Sequence, residues 1–203
     1  MRTTSVATLA LAVTTATPGI AAQAGVVLDE ATSGDFSNDR LAPTSTLLAA
    51  GMNTINGWFG ISPVVDQLDL DYVSFTVPEG HALTRFVVQD AYVGGAFSFV
   101  GMQAGPAVTI PWDWASIESP LLGWSHFGTA SIGSDLLPTM AISPGSVGFA
   151  PPLGAGTYTL WIMELDPSEA YRYRFGLEVI AIPGPSAAWL FAAVGRRSRR
   201  RSE

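Results

Sequence analysis

The sequence predicts an all-β domain, a single antiparallel β-sandwich, on three observations. From position 25 onward, short runs of alternating apolar and polar residues are separated by clusters of Gly, Pro, Asn and Asp. No segment keeps an apolar period of 3.6 residues over a length that would form a stable helix. Of the 203 residues, 48% are apolar and 13% are charged, which is enough apolar material for one packed core.

Five runs predict strands, and they cover residues 71–77, 82–92, 96–103, 157–165 and 170–180. In the first run, Val73, Phe75 and Val77 share one face because successive side chains of a strand point to opposite sides. The last two runs are joined by a turn signal at 166–168, which predicts an antiparallel hairpin. Between the third and fourth runs lies a long stretch rich in Gly, Pro and Ser, where we expect loops and further short strands.

The charge distribution excludes nucleic acid as a partner. All ten basic residues are Arg, and five of them stand in the last eight positions. Residues 25–182 carry four Arg against sixteen carboxylates, a net charge of −12 that repels a phosphate backbone. The chain has no Cys, which excludes disulfides, thiolate zinc sites and cysteine nucleophiles.

Residues 1–24 have the organisation of a secretory signal peptide. Arg2 precedes a modest apolar run, and the small residues Ala22 and Ala24 stand where signal peptidase reads its site. We therefore predict export and cleavage after Ala24. The alternative is an ordinary N-terminal helix, which Pro18 would interrupt.

The final residues, 182–203, combine three features in a fixed order. These are the triplet Pro183, Gly184 and Pro185, the apolar segment 186–195, and the arginines Arg196, Arg197, Arg199, Arg200 and Arg201. This order resembles the PEP-CTERM sorting tail, with Gly184 where that family usually has Glu. The resemblance implies that exosortase, a membrane protease, cuts near the proline motif and delivers the exported protein to the cell envelope.

The physical chemistry of this tail suits transient membrane insertion. Basic residues that follow an apolar segment are retained on the cytoplasmic side, and they halt translocation. The apolar segment is short, however, because ten helical residues rise about 15 Å and a hydrocarbon core is about 30 Å thick. The alternative is a basic tail on a protein that never enters the membrane.

Three motifs between these ends carry a second resemblance, and they are residues 33–44 (SGDFSNDRLAPT), 69–78 (DLDYVSFTVP) and 152–158 (PLGAGTY). In this order they resemble exported bacterial β-sandwich proteins with PEP-CTERM tails and, more distantly, the pre-peptidase C-terminal (PPC) jelly-roll domains. The resemblance implies a jelly-roll sandwich over residues 25–181 and a non-catalytic structural, adhesive or binding role. No catalytic residue carries over from it.

Closely spaced acids point to a calcium site. Asp66, Asp69 and Asp71 lie within six residues of sequence. A second group consists of Asp35, Asn38 and Asp39. Hard cations bind several oxygen ligands, and carboxylates at such spacing supply them. The alternative is that these are solvated turn residues, because Asp and Asn favour turns.

Tryptophans offer a candidate binding surface for exopolysaccharide. Trp112 and Trp114 are its main residues, and Trp58 with Phe59 and Trp124 are further candidates. Indole rings can pack on the C–H faces of sugars. The alternative is that these large aromatic side chains fill the core.

The sequence predicts no enzyme. Ser125 and His126 are neighbours, but a nucleophile and its base must converge in space, and the chain has neither G-x-S-x-G nor H-E-x-x-H. Glu164 and Asp166 are a formal carboxylate pair, which we interpret as surface acids. The alternative is a secreted hydrolase that acts on polysaccharide, with its acids in the stretch 104–152.

Overall fold

The computed structural model of this protein describes residues 25–61, 68–89, 98–111, 119–164 and 169–182. The strands in these ranges are β1 (Val26–Asp29), β2 (Thr44–Leu47), β3 (Gly51–Ile61), β4 (Leu68–Asp69), β5 (Asp71–Val77), β6 (His81–Val88), β7 (Ser98–Ala104), β8 (Gly123–Phe127), β9 (Gly156–Glu164) and β10 (Ala170–Ala181). The helices are single turns, α1 (Glu30–Ser33), α2 (Leu137–Met140) and a 3-10 turn at Thr129–Ser131. The all-β prediction and its five predicted strands are confirmed within these ranges.

The strands form two mixed sheets. The first sheet has the order β1-β3-β10-β6, with β4 paired to β3, and the second has the order β2-β5-β9-β7-β8. The pairs β1–β3 and β2–β5 are parallel, so the prediction of a purely antiparallel arrangement is wrong. In both cases the chain visits the other sheet between the two partners, and this crossover returns it in its original direction.

The predicted hairpin of the last two strands is also wrong. β9 pairs with β5 and β7 in the second sheet, whereas β10 pairs with β3 and β6 in the first. A turn signal reverses the chain but does not decide which strand becomes the neighbour. Leu160 and Ile162 of β9 pack into the same apolar cluster as Phe175 and Leu177 of β10. Because the chain passes from one sheet to the other between these strands, the apolar side chains of both strands share one core.

We call the apolar cluster that contains Leu160, Ile162, Phe175 and Leu177 the inner cluster. Its side chains come from both sheets. Phe175 is its aromatic centre, with ring centroids 4.8 Å from Phe86, 5.1 Å from Phe127 and 5.0 Å from Tyr173. Tilted and edge-on aromatic pairs at these distances add to the stabilisation that burial itself provides. The inner cluster is therefore the main source of the stability of the fold.

A second apolar cluster covers the opposite face of the second sheet. Its fully or largely buried members are Leu70, Tyr72, Val108, Ile110, Leu121, Trp161 and Met163. Gly101 makes room for it, because a Cβ at that position would lie 3.0 Å from Leu121 Cδ1. Part of the long stretch after β7 thus packs on the sheet instead of forming a free loop.

Candidate functional site

Asp71 is a buried acid on the inward face of β5. It stands two residues before Val73, which belongs to the inner cluster, so its side chain lies on the same face. Its exposure is 0%, and neither carboxylate oxygen has a hydrogen-bond partner. A buried charge without a partner is costly, which makes Asp71 the most unusual polar side chain of the described structure.

Tyr173 of β10 brings a buried hydroxyl to Asp71 from the other sheet. The hydroxyl lies close enough to lower the pKa of Asp71, although the geometry falls short of a hydrogen bond. Its ring passes over Gly57 of β3, where any Cβ would collide with it. Burial, followed by the charge of Asp71, raises the pKa of Tyr173 well above its ordinary value, so the hydroxyl keeps its proton.

Glu30 enters the site from α1, at the N-terminal end of the described chain. Its Oε1 accepts a hydrogen bond from the Phe36 amide (2.9 Å) and its Oε2 accepts one from the Trp58 amide of β3 (2.6 Å). Burial nevertheless raises the pKa of Glu30 from 4.5 to about 7, and the charges of Asp69 and Asp35 add to the rise. Glu30 therefore ties the N-terminal segment to β3 through a carboxyl group that is easily protonated.

Asp69 completes the group from β4. It is 7% exposed, and its Oδ1 has no hydrogen-bond partner. Burial, followed by the charge of Asp35, raises its pKa from 3.8 to about 6. The neighbouring Leu70 amide donates to Asn38 Oδ1 (2.6 Å), which anchors the 35–39 segment beside Asp69.

We call Glu30, Asp69 and Asp71 the acidic cluster. Burial, followed by the charge of Glu30, raises the pKa of Asp71 well above its ordinary value, and Asp69 and Asp35 contribute further. Among the described residues, no Arg counts among the groups that shift the pKa of these three carboxyls. Such a group must hold either protons or a cation at neutral pH.

The predicted calcium residues are partly brought together here. Asp69 and Asp71 belong to the acidic cluster, whereas Asp66 lies outside the described residues. Asp39 is a turn residue whose Oδ1 accepts from the Leu41 amide (2.9 Å). Across the described ranges, no three Asp, Glu, His or Cys side chains are already placed to hold a metal ion. To bind an ion, these carboxylates would have to move closer together or gain an additional ligand.

The aromatic candidates are only partly covered by the described residues. Trp112 and Trp114 lie outside the described residues. Phe59 is fully buried in the inner cluster, whereas its neighbour Trp58 is 43% exposed, so these two do not form one surface. Trp124 stacks on Phe99 at 6.1 Å, and its Nε1 donates to the Pro144 carbonyl (3.0 Å).

The described residues that we considered for catalysis are Ser125, His126 and Glu164. Ser125 is buried and His126 is exposed on alternate sides of β8, and the serine hydroxyl donates to the His126 carbonyl (2.9 Å). Glu164 is 1% exposed and accepts a hydrogen bond from Ser98 Oγ (2.7 Å), so its interpretation as a surface acid is wrong. Asp166 lies outside the described residues.

The predicted export signals at both ends also lie outside the described residues, and they include Ala22, Ala24, the triplet 183–185 and the five tail arginines. Within the part of the chain that is described, no helix has both the length and the apolarity to cross a bilayer. Comparison with protein-family models, curated proteins and solved structures finds no match to this chain.

Proposed function

We propose that this chain is an exported, non-catalytic binding or structural module of the cell envelope or extracellular matrix, and that its acidic cluster binds calcium. In this proposal residues 25–181 form a β-sandwich of jelly-roll type. Signal peptidase and exosortase process the two ends. The observation that carries the calcium part is Asp71, a fully buried carboxyl group with two unpartnered oxygens beside two more acids.

The chemistry of the cluster favours calcium over a transition metal. Its candidate ligands are carboxylate oxygens, and hard cations such as calcium prefer oxygen. Extracellular calcium modules typically bind with dissociation constants of about 0.1 to 1 mM, which suits a site that closes around the ion. Asp71, Asp69 and Glu30 are the proposed ligands, and Asp66 stays a prediction from the sequence.

The proposed ion would act as a structural crosslink. Glu30 belongs to α1 and already accepts the Trp58 amide of the first sheet, whereas Asp71 belongs to the second sheet. Cation binding would therefore join the N-terminal segment and both sheets at one point. Burial is the largest cause of their raised pKa values, and the ion would offset both this cost and the carboxylate repulsion that adds to it.

Calcium should raise the melting temperature of the full chain. At 10 mM calcium, a dissociation constant of about 0.1 mM stabilises the folded state by about 2.7 kcal/mol, and one of about 1 mM stabilises it by about 1.4 kcal/mol. For a chain of this size these values correspond to a rise of about 3 to 11 °C. Differential scanning calorimetry in EDTA and in 10 mM calcium measures it, with 10 mM magnesium as the control for ionic strength. No difference between calcium and EDTA would contradict the calcium site.

The export proposal leads to a separate prediction about the two ends of the protein. Material recovered from the medium and the membranes of the producing cell should begin near Gly25 and end near Pro183. Intact-mass spectrometry measures both ends at once. Recovery of only the unprocessed chain, in the cytosol, would contradict the export proposal and leave the calcium experiment unaffected.

A hydrolase that acts on polysaccharide is the second candidate, and one observation favours it. The pKa of Glu30 is about 7 and that of Asp69 is about 6, which are values that suit general acids near neutral pH. Asp71 cannot touch a polymer because it is fully buried. Release of reducing ends from cell-derived polysaccharide would support this alternative.

A further inference from the structure

The arginines of the described chain are concentrated on one surface. Four Arg stand between residues 25 and 182, and three of them, Arg85, Arg172 and Arg174, lie on β6 and β10 of the first sheet. The fourth, Arg40, is used internally, because its Nη1 donates to the carbonyls of Val108 (3.1 Å) and Thr109 (2.9 Å). In a body with a net charge of −12, this local concentration of positive charge is an exception.

The strand register places these arginines on the outer face of the first sheet. Arg172 and Arg174 alternate with Tyr171, Tyr173 and Phe175, which point into the inner cluster. Arg172 is the register partner of Trp58, and Arg174 is the partner of Asn56. We call Trp58, Asn56, Arg172 and Arg174 the outer strip.

Trp58 and Arg172 form the exposed end of the outer strip. The guanidinium carbon of Arg172 lies 5.2 Å from the centre of the Trp58 ring, and 43% of Trp58 is exposed. An exposed Trp ring provides a surface for stacking, and the guanidinium beside it provides hydrogen-bond donors. Nothing in the core requires either side chain, because the neighbouring Phe59 and Tyr171 fill the interior.

Two acids near this face, Glu178 and Asp29, already have partners among the described residues. Glu178 lies 3.9 Å from Arg85, and Asp29 Oδ2 accepts a hydrogen bond from Asn56 Nδ2 (3.0 Å). Asn56 Oδ1 in turn accepts from Arg174 Nε (2.8 Å), which fixes that guanidinium above the sheet. The contact of Arg172 on this face, among the described residues, is the Trp58 ring.

We propose that the outer strip binds a polysaccharide that contains sugar acids. Trp58 packs against the C–H face of one sugar, and Arg172 binds the carboxylate of that sugar or of its neighbour, with Arg174 adding positive charge. This assignment rests on the proposed role as a binding module and names the ligand class and the surface. It does not require calcium in the acidic cluster.

The spacing of negative charge favours a sugar acid over nucleic acid. Duplex DNA carries one charge per about 1.7 Å of its axis, and binding it requires many cations. An acidic polysaccharide with one carboxylate per one or two sugars carries much less charge per length. Two arginines and one Trp match such a chain, while the net negative body still repels a dense polyanion.

Affinity electrophoresis of the full chain tests this proposal, with hyaluronan as the acidic probe and dextran as the neutral one. Hyaluronan in the gel should retard the protein, and dextran should not. Trp58→Ala and Arg172→Gln should each weaken hyaluronan binding about tenfold or more. Arg85→Gln removes the same charge at a distance along the sheet and serves as the matched control, with a loss below about twofold.

Two further arms separate the proposal from its alternatives. The five tail arginines also attract polyanions, so every variant is compared in a full-length background with Gln at positions 196, 197, 199, 200 and 201. Single-stranded DNA replaces hyaluronan in a third gel. Equal losses in Arg85→Gln and Arg172→Gln, equal retardation by DNA, or no retardation by hyaluronan would each overturn the proposal.

The experiment also keeps this proposal apart from the calcium site. All gels are run in EDTA and repeated in 1 mM calcium. Retardation by hyaluronan in EDTA, together with no calcium effect on melting, would remove the calcium site and keep the outer strip. A calcium effect on melting, without retardation by hyaluronan in either buffer, would keep the calcium site and remove the proposal for the outer strip.

Discussion

Asp71→Asn should raise the melting temperature in EDTA at pH 7.5 and should abolish the rise that calcium produces. Asparagine has nearly the shape of a protonated aspartate, so it avoids the cost of a buried charge beside Glu30. The same change removes a charged oxygen ligand, so the calcium stabilisation of about 1.4 to 2.7 kcal/mol should be lost. Calorimetry of the two proteins in both buffers measures these opposite effects.

The control for this variant is Asp39→Asn, which changes an exposed acid whose role is a local turn. It should leave both the melting temperature in EDTA and the response to calcium close to those of the original protein. Two outcomes for Asp71→Asn would contradict the interpretation. One is a full calcium response, and the other is a lower melting temperature in EDTA at pH 7.5.

The pH dependence of stability in EDTA has the same cause. Glu30 and Asp69 bind protons more tightly in the folded state, because burial raises their pKa from 4.5 to about 7 and from 3.8 to about 6. Their contribution is therefore complete below about pH 4 and is lost as the pH rises through 6 and 7. The Asp71→Asn protein should lose less stability over this range, since its buried amide does not titrate, whereas burial raises the pKa of Asp71 well above its ordinary value.

Phe175→Ala should cause the largest loss of stability in the core. The ring is fully buried and contacts Phe86, Phe127 and Tyr173, which come from both sheets. Truncation of a buried Phe to Ala typically costs about 3 to 5 kcal/mol, because the cavity collapses only in part. Urea denaturation at fixed calcium concentration should show this loss in the free energy of unfolding.

Leu47→Ala is the matched control for the core variant. Leu47 lies on β2 and is 65% exposed, so removing its side chain deletes apolar area without creating a cavity. Its cost should stay within about 0.5 kcal/mol. A loss below about 1 kcal/mol for Phe175→Ala would mean that the inner cluster does not hold the two sheets together.

The strands were predictable because their signal is local, and the pairing was not. Alternation along residues 71–77 specifies which side chains share a face, and β5 follows it. The turn signal at 166–168 predicts a reversal of the chain, but long-range packing decides which strands become neighbours, and β9 and β10 lie in different sheets. The parallel edge strands β1 and β2 also depend on crossovers that no local pattern records.

The candidate site was predictable in part for the same reason. Asp71 precedes Val73 by two residues, so alternation alone places it on the apolar face of its strand. Glu30 and Tyr173 carry no comparable signal, because topology brings them to Asp71 from opposite ends of the chain. Sequence also could not decide whether Trp58 or Phe59 faces the interior, since both are large and aromatic.

The central position of β10 sets the order in which the protein can fold. This strand is the last one in the described chain, yet it lies between β3 and β6 and completes the first sheet. A nascent chain that emerges with its N-terminus first keeps β3 and β6 without their shared neighbour until residues 170–181 are free. Such distant contacts slow folding, so the first sheet can close only after nearly all of the described chain has left the ribosome.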